Sequence, residues 1–489
     1  MSSEILVNVM PWETRAAIVE HGLAQEVYIE RPRRRGLVGN VYKGRVARLM
    51  PGMQAAFIDI GEERTAFLHA GDAAELPYAE PGANEHEPQD IQTLFGEGDA
   101  VLVQVLKDPI GTKGARVTMH ISLPSRHMVL VPAGSGIGIS ARIEDSEERE
   151  RLARLVESLR PDAPAFRFIV RTAGEGAEGA ALGSEMRYLS RLWVTLEAAV
   201  AEAPPASLVH EDLPLPLRVM RDHLEAEVAQ IRVDSEPALE HMKRFADAFS
   251  PELAECIMFY RGEHPIFDLY GVEDEIARAL ERRVNLKSGG YLVFDQAEAM
   301  ATVDVNTGSY LGSRNPDETA LKTNLEAARV IARQLRLRNL GGIIIIDFID
   351  MAKPAHRALL LTTLKRELAG DHAKTVVTTV SALGLVEMTR KRTRESLERT
   401  LTGVCDVCGG RGVVKTPESV CFDVYREVSR LAGLFAAGEY LLLAAPPVVD
   451  LLLDEESDNL AELAVQLGCP LRLQVESQYR PEQFDVIPL

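Results

Sequence analysis

Residues 341–351, GGIIIIDFIDM, place four consecutive isoleucines before an aspartate, and no other segment restricts the fold as sharply. The run is far short of the roughly 20 apolar residues that a membrane-spanning helix needs, and β-branched side chains favour extended backbone. It therefore predicts a strand buried on both faces, as in the central sheet of an α/β domain. Such sheets present ligand-binding groups at the carboxyl ends of their strands, where Asp347 stands. Before the run, Asn315 and Pro316 offer an N-cap with proline at the first helical position. Leu321, Leu325, Ala328, Ala332 and Leu335 then form the apolar stripe of a helix ending near Asn339. Further upstream, a helix over 273–284 leads through the tight turn KSGG (287–290) into the strand YLVFD, with ATVDVNTG as its hairpin partner.

At 489 residues the chain exceeds what one hydrophobic core can organise, and several domains are expected. The opening ILVNVMPWETRAAIVEHGLAQEVYIER alternates short apolar runs with breaks at 10–12 and 21–22, which reads as a small set of strands. From 36 to 122, short β-branched segments separated by glycine-bearing turns have the spacing of a barrel. The carboxylate-rich stretch 76–97 interrupts them as a solvated loop. Residues 123–214 mix strands (MVLVP, FRFIVRT) with helical stretches at 146–159 and 185–201, an α/β module. The proline-rich run 204–216 marks a boundary, and 217–231 has apolar residues at helical spacing. No internal repeat points to a solenoid.

A formal charge of -19 excludes a protein that coats nucleic acid by bulk attraction, so any such binding uses local patches. Two exist: RPRRRGLVGNVYKGRVAR (31–48) has no acidic residue, and RKRTR (390–394) is basic. The N-terminus carries no basic leader before an apolar stretch, so a cytoplasmic location is expected, without an integral membrane segment. Five cysteines in so long a chain argue for a reducing compartment. The scattered histidines and the lack of a nucleophile elbow make serine or histidine nucleophilic chemistry a poor fit.

In TVDVNTG, period-two geometry puts Asp304 and Asn306 on one face of a strand. With Asp347, two carboxylates at strand ends suit Mg2+, which takes hard oxygen ligands and is commonly held by one or two acids beside a substrate phosphate. Spacing alone equally allows Asp304 to cap the turn before Gly308, and Asp347 or Asp350 to cap the following helix. Cys405 and Cys408 stand in CDVCGGRG, half of a tetrahedral zinc site. Cys421 could be a third ligand, but Cys256 and Cys469 lie far away in sequence, so the simpler completion is a second chain giving its own pair to one shared zinc. A redox role lacks its βαβ context, and the glycines instead suggest a tight knuckle; the zinc region of J-type chaperones uses four such copies where this chain has one. Phe57 and Phe67 with Lys43, Lys107 and Lys113 could stack and neutralise single-stranded nucleic acid, or the rings could fill the barrel core.

Taken in order, GNVYKGRV, PGMQAAFIDIG, KSGGYLVFDQ, TVDVNTG, RLRNLGGIIIIDFIDM, ALGLVEMTRKR and CxxCxGxG resemble the ribonuclease E/G family from end to end. The chain stops at Leu489, without the long disordered scaffold of the family's larger members, and so resembles the shorter ones. The resemblance implies a multidomain α/β and β fold: an RNase H-like domain in two parts (1–36 and 215–278), an inserted S1 (OB-fold) barrel (37–120) and a 5′ sensor (121–214). A DNase I-like α/β catalytic domain (279–400), a zinc link (401–415) and a small C-terminal α/β domain (416–489) follow.

It further implies a single-strand-specific endoribonuclease whose Mg2+-dependent hydrolysis leaves 5′-phosphate and 3′-hydroxyl ends. Asp304 and Asp347 would hold Mg2+, with Asn306 on the scissile phosphate. Arg171 and Thr172 in IVRTAGEG would form a 5′-monophosphate pocket that stimulates cutting, and Phe57, Phe67, Lys107 and Lys113 would hold RNA. Zn2+ at Cys405 and Cys408 would be shared by two chains of a homodimer, with a tetramer left open. Expected substrates are ribosomal RNA precursors, including the 5′ end of 16S, and messenger RNA. The competing reading is a non-catalytic RNA-binding or scaffold protein assembled through zinc.

Overall fold

The computed structural model describes residues 3–32, 35–73, 90–109, 113–160, 166–223, 228–249, 254–308, 316–381, 383–435 and 437–489. The chain forms two compact units, Met1–Thr400 and Leu401–Leu489. Most of the 76–97 loop and the N-cap at Asn315 lie outside the described residues.

The N-terminal apolar runs form β1 (Ser3–Met10), β2 (Glu13–Glu20) and β3 (Leu23–Glu30), an antiparallel set. The turn between β2 and β3 is two residues long, and both His21 and Gly22 have positive φ, the geometry that matches strand twist. The chain then builds a barrel from β4 (Val41–Met50), β5 (Ala55–Asp59), β6 (Ala66–His69), β7 (Ala100–Lys107) and β8 (Arg116–Thr118). Their order is β4-β5-β6-β8-β7, and β7 pairs again with β4, so five strands close on themselves. Alternation sends Val46, Ala56, Ile58, Ala66, Leu68, Val103 and Val117 into the core. Of the expected loop, Ile91–Leu94 forms one helical turn, with Ile91 buried in that core.

A four-stranded sheet follows, from β9 (Leu123–Pro124), β10 (Met128–Val131), β11 (Gly136–Ile139) and β12 (Arg167–Val170), in the order β11-β12-β10-β9. Helices Ser146–Leu159 and Gly179–Glu202 bury Leu152, Val156, Leu182, Met186 and Leu189 against its Leu130 and Phe168. The second helix starts earlier than its periodicity suggests. The proline-rich boundary is partly structured, since β13 (Ser207–His210) adds to the barrel beside β4.

The chain then returns to the first sheet. Helix Leu215–His223 is followed by β14 (Val228–Val233), parallel to β1, and after helix Glu236–Phe249 by β15 (Ile257–Phe259). The helical reading of 217–231 holds as far as His223 and fails from Val228, with 224–227 outside the described residues. There Ile231 and Val233 are buried at period two, and sheet pairing outweighs the helical pattern.

The helix read at 273–284 is Val272–Leu280, because Val284 already pairs with Leu292 across the KSGG turn. The last sheet of this unit contains β16 (Arg283–Asn285), β17 (Tyr291–Gln296), β18 (Met300–Asn306), β19 (Gly342–Asp347), β20 (Thr375–Val380) and β21 (Val386–Arg390). Its order is β16-β17-β18-β19-β21-β20, with β18 and β19 parallel. Helices Pro316–Leu337 and Pro354–Leu368 cover one face, packing Ala328, Ile331, Leu335, Leu360 and Leu364 on Leu292, Val303, Val305, Ile344 and Ile346.

The isoleucine strand is therefore central but not buried on both faces. Ile344 and Ile346 have no exposure, whereas Ile343 is 48% exposed and Ile345 half-buried. Four isoleucines in a row satisfy a one-sided sheet as well as a two-sided one, because only alternate residues meet the helices.

The second unit has helix Pro417–Ala432, capped by the Thr416 side chain, and three strands, β22 (Tyr440–Ala444), β23 (Leu471–Val475) and β24 (Phe484–Pro488), in the order β23-β22-β24. Helices Pro446–Leu453 and Ser457–Leu467 complete it. Among the described residues no helix is long and apolar enough to cross a membrane.

Candidate functional site

The uncovered face of the last sheet carries the acids singled out by the sequence. Strands β18 and β19 run parallel with Asp304 in register with Asp347. Adjacent strands lie about 4.8 Å apart, so two carboxylates from distant parts of the chain project side by side. Both residues are exposed, and Asn306 donates from Nδ2 to Asp304 Oδ2 at 2.8 Å. The capping alternatives do not describe them, since both lie inside the strand ladder. The end of β18 is held by glycines. A Cβ on Gly290 would stand 2.7 Å from the Asn306 carbonyl oxygen, and one on Gly308 (φ +57) would stand 2.5 Å from that of Gly289.

This donor set fits Mg2+: two hard oxygen ligands in register, open to water, with no lysine or arginine ion pair among the described residues. The apolar layer beneath them, Val303, Val305, Ile344 and Ile346, anchors both strands rigidly.

On the barrel, the residues pair across strands in the sequence Arg48, Phe57, Phe67, Arg116, Lys107. The two rings are half-buried and meet edge to face, with centroids 6.1 Å apart. They stand outside the barrel core, which is filled by their neighbours Ala56, Ile58, Ala66 and Leu68. Lys107 and Lys113 are exposed. Lys43, by contrast, is committed to structure, donating to the Val200 and Ala203 carbonyls at 2.9 and 2.8 Å. That arrangement caps the C-terminal end of a helix with a cation. Arg48 and Arg116 were missed in the sequence because their place beside the rings depends on register. The small-large-aliphatic alternation AFI and AFL was the available signal that the rings point outward.

Arg171 and Thr172 follow β12 and line a cavity of about 830 Å³ with Ser140, Arg142, Asp222 and His372. Arg171 donates to the Ser125 carbonyl at 2.7 Å and through both Nη atoms to Asp222 Oδ1 at 3.3 Å. The Thr172 and Ser140 hydroxyls are 3.0 Å apart. Asp222 is gripped again by Arg221, which also reaches Asp212 at 2.8 Å. Burial would raise the Asp222 carboxyl, but Arg221 and Arg171 hold it below the usual range. Arg171 is thus a positioned guanidinium facing a polar cavity and not a solvent-facing loop arginine.

The sequence comparisons decide the family. The model of the ribonuclease E/G family matches residues 122–393. Ribonuclease G of Escherichia coli K12 is 50% identical over 491 residues, covering all of both chains. Ribonuclease G of Haemophilus influenzae is 48% identical over 99% of both chains. Ribonuclease E of Escherichia coli is 34% identical over 91% of this chain and 42% of its own length. The chain belongs to the ribonuclease E/G family.

In this member of the ribonuclease E/G family, the cysteine pair sits in a knuckle built by glycines. Gly409, Gly410 and Gly412 all have positive φ, and the Gly409 N–H donates to the Cys405 carbonyl at 2.8 Å. Backbone N–H groups of Gly412 and Gly410, together with Cys405, lower the Cys408 thiol below its ordinary value, favouring the thiolate that binds metal. Cys421 is corrected as a candidate third ligand. It is fully buried in the small unit's core, and burial pushes its thiol up to about 11.

Proposed function

We propose that the chain is a single-strand-specific endoribonuclease that cuts RNA by Mg2+-dependent hydrolysis at Asp304 and Asp347. The observation that carries the reading is the in-register, solvent-facing carboxylate pair on the open sheet face; membership of a ribonuclease family supports it. Bound Mg2+ supplies Lewis-acid activation of water and neutralises charge on the phosphate. Asp304 and Asp347 would hold the ion. Asn306, tied to Asp304, orients that carboxylate and offers an amide to a phosphate oxygen. The products carry 5′-phosphate and 3′-hydroxyl ends. In a short labelled single-stranded RNA assay, Asp304→Asn should bind RNA yet lose cutting by on the order of a thousandfold. Normal Mg2+-dependent cleavage by that variant would sink the assignment.

The remaining parts take supporting roles. The barrel is read as an S1 domain that lays RNA along Phe57 and Phe67, with phosphates on Lys107 and Lys113. The cavity at Arg171 and Thr172 is read as a 5′ sensor, where the guanidinium grips a terminal monophosphate and raises turnover. The interrupted first sheet corresponds to an RNase H-like domain, and the last sheet with its two helices to the DNase I-like catalytic domain. Cys405 and Cys408 hold Zn2+ shared with a second chain in a homodimer, so about one zinc per two chains is expected. A full zinc equivalent in a monomer would overturn that sharing. Ribosomal RNA precursors and messenger RNA are the proposed substrates, in the cytoplasm. A non-catalytic scaffold would have no need of two unneutralised carboxylates in register.

A further inference from the structure

A further group of metal-ligating side chains shares no residue with the carboxylate pair or the cysteine knuckle. Glu26 on β3, His223 at the end of helix Leu215–His223 and His372 before β20 each offer one donor atom, and these atoms all lie within 4.8 Å of one another. We propose that Glu26, His223 and His372 form a binding site for a borderline divalent transition ion of the Zn2+ class.

The donor set is two imidazoles and one carboxylate, the combination that suits such ions over Mg2+, which prefers oxygen. The imidazoles stack edge to face, with ring centroids 4.7 Å apart. The Tyr28 hydroxyl lies 2.6 Å from Glu26 Oε2 and 2.6 Å from His223 Nε2, tying these two side chains together as an outer partner of a metal site does.

Arg336 lies 3.0 Å from Glu26 Oε1, and Arg394 stands over the Tyr28 ring at 3.6 Å. These cations weaken the attraction for any divalent ion, so the imidazole bonds must supply the affinity, which again selects Zn2+ over Mg2+. An entry path exists because His372 is exposed and all three ligands line the 830 Å³ cavity. The ligands come from three separate segments, so a bound ion would cross-link β3, the Leu215–His223 helix and the loop before β20.

The test uses the full chain carrying Cys405→Ser and Cys408→Ser, which removes the thiolate site. After chelator stripping, the protein is titrated with Co2+ and Zn2+, with Mg2+ as control. The proposal expects one Co2+ per chain beyond any held at Asp304 and Asp347, with a nitrogen-containing ligand field lacking sulfur charge-transfer bands. It also expects a melting temperature raised by Zn2+ and not by Mg2+. His372→Ala, at an exposed position, should weaken Co2+ and Zn2+ binding by roughly tenfold or more. His372→Asp, which keeps a ligand atom, should recover part of it. Equal Co2+ affinity in the parent and His372→Ala, or an equal response to Mg2+ and Zn2+, would overturn the site.

Discussion

The open face of the last sheet and the walled cavity beside β12 are both rich in ionisable side chains, and they treat charge in opposite ways. On the sheet, Asp304 and Asp347 share a register position, face water and have no basic ion-pair partner among the described residues. Around the cavity, Asp222 meets Arg221 and Arg171, and Asp371 meets Arg390. A carboxylate already neutralised by arginine has little electrostatic reason to bind a cation, whereas two unneutralised ones side by side repel each other until a cation arrives. The contrast separates acids kept for chemistry from acids kept for architecture.

The sharpest way to break the contrast is to remove one charge from each region. Asp347→Asn should abolish cutting, on the order of a thousandfold, with an unchanged melting temperature. Asp371→Asn should do the reverse. Its carboxylate meets Arg390 at 2.6 and 3.0 Å with both side chains almost fully buried, so about 3–5 kcal/mol of stability is at stake. If calorimetry and cleavage rates fail to divide the two variants in this way, the distinction is wrong.

A second test titrates the walled region. The fold depresses His223 from 6.5 to about 4 through burial, so between those values the unfolded chain binds a proton that the folded chain refuses. Stability therefore rises with pH across that window and is lost as pH falls through it, by up to about 3 kcal/mol. Glu26 extends the same sign from 4.5 down to about 2. His223→Gln, which cannot take up the proton, should flatten melting temperature against pH between 6.5 and 4. An unchanged slope would remove His223 as the cause.

Smaller effects probe whether each region meets RNA. Arg171→Ala should erase the preference for 5′-monophosphate over 5′-hydroxyl substrates, a loss of about 1.5–3 kcal/mol in kcat/KM for the phosphorylated RNA. An equal preference in both proteins would leave that cavity without the sensing role. On the barrel, Phe57→Ala should raise KM by roughly tenfold, corresponding to about 1–3 kcal/mol for one stacked base. An unchanged KM would return the ring to a packing role beside Phe67.

Much of this was legible in the residues alone. Alternation located the first strands, the barrel segments and the β17–β18 hairpin, and the apolar stripe located helix Pro316–Leu337. The helix Leu215–His223 was overextended because an apolar pattern at helical spacing continued into β14, where pairing with β1 competes with it. The row from Arg48 to Lys107 was only partly visible, since its rings could be counted but their neighbours could not.

By itself the sequence determined what one element can determine: that Asp304 and Asn306 share a face, that four isoleucines make a strand, and that glycines shape the cysteine knuckle. Period and turn chemistry act over a few residues, and those statements need no partner. Only the tertiary structure decided that Asp304 stands against Asp347, that Ile343 faces water, and that Glu26, His223 and His372 converge. Those facts depend on strand register and on which face the helices cover. Both are set by packing between segments far apart along the chain, about which a local pattern carries no information.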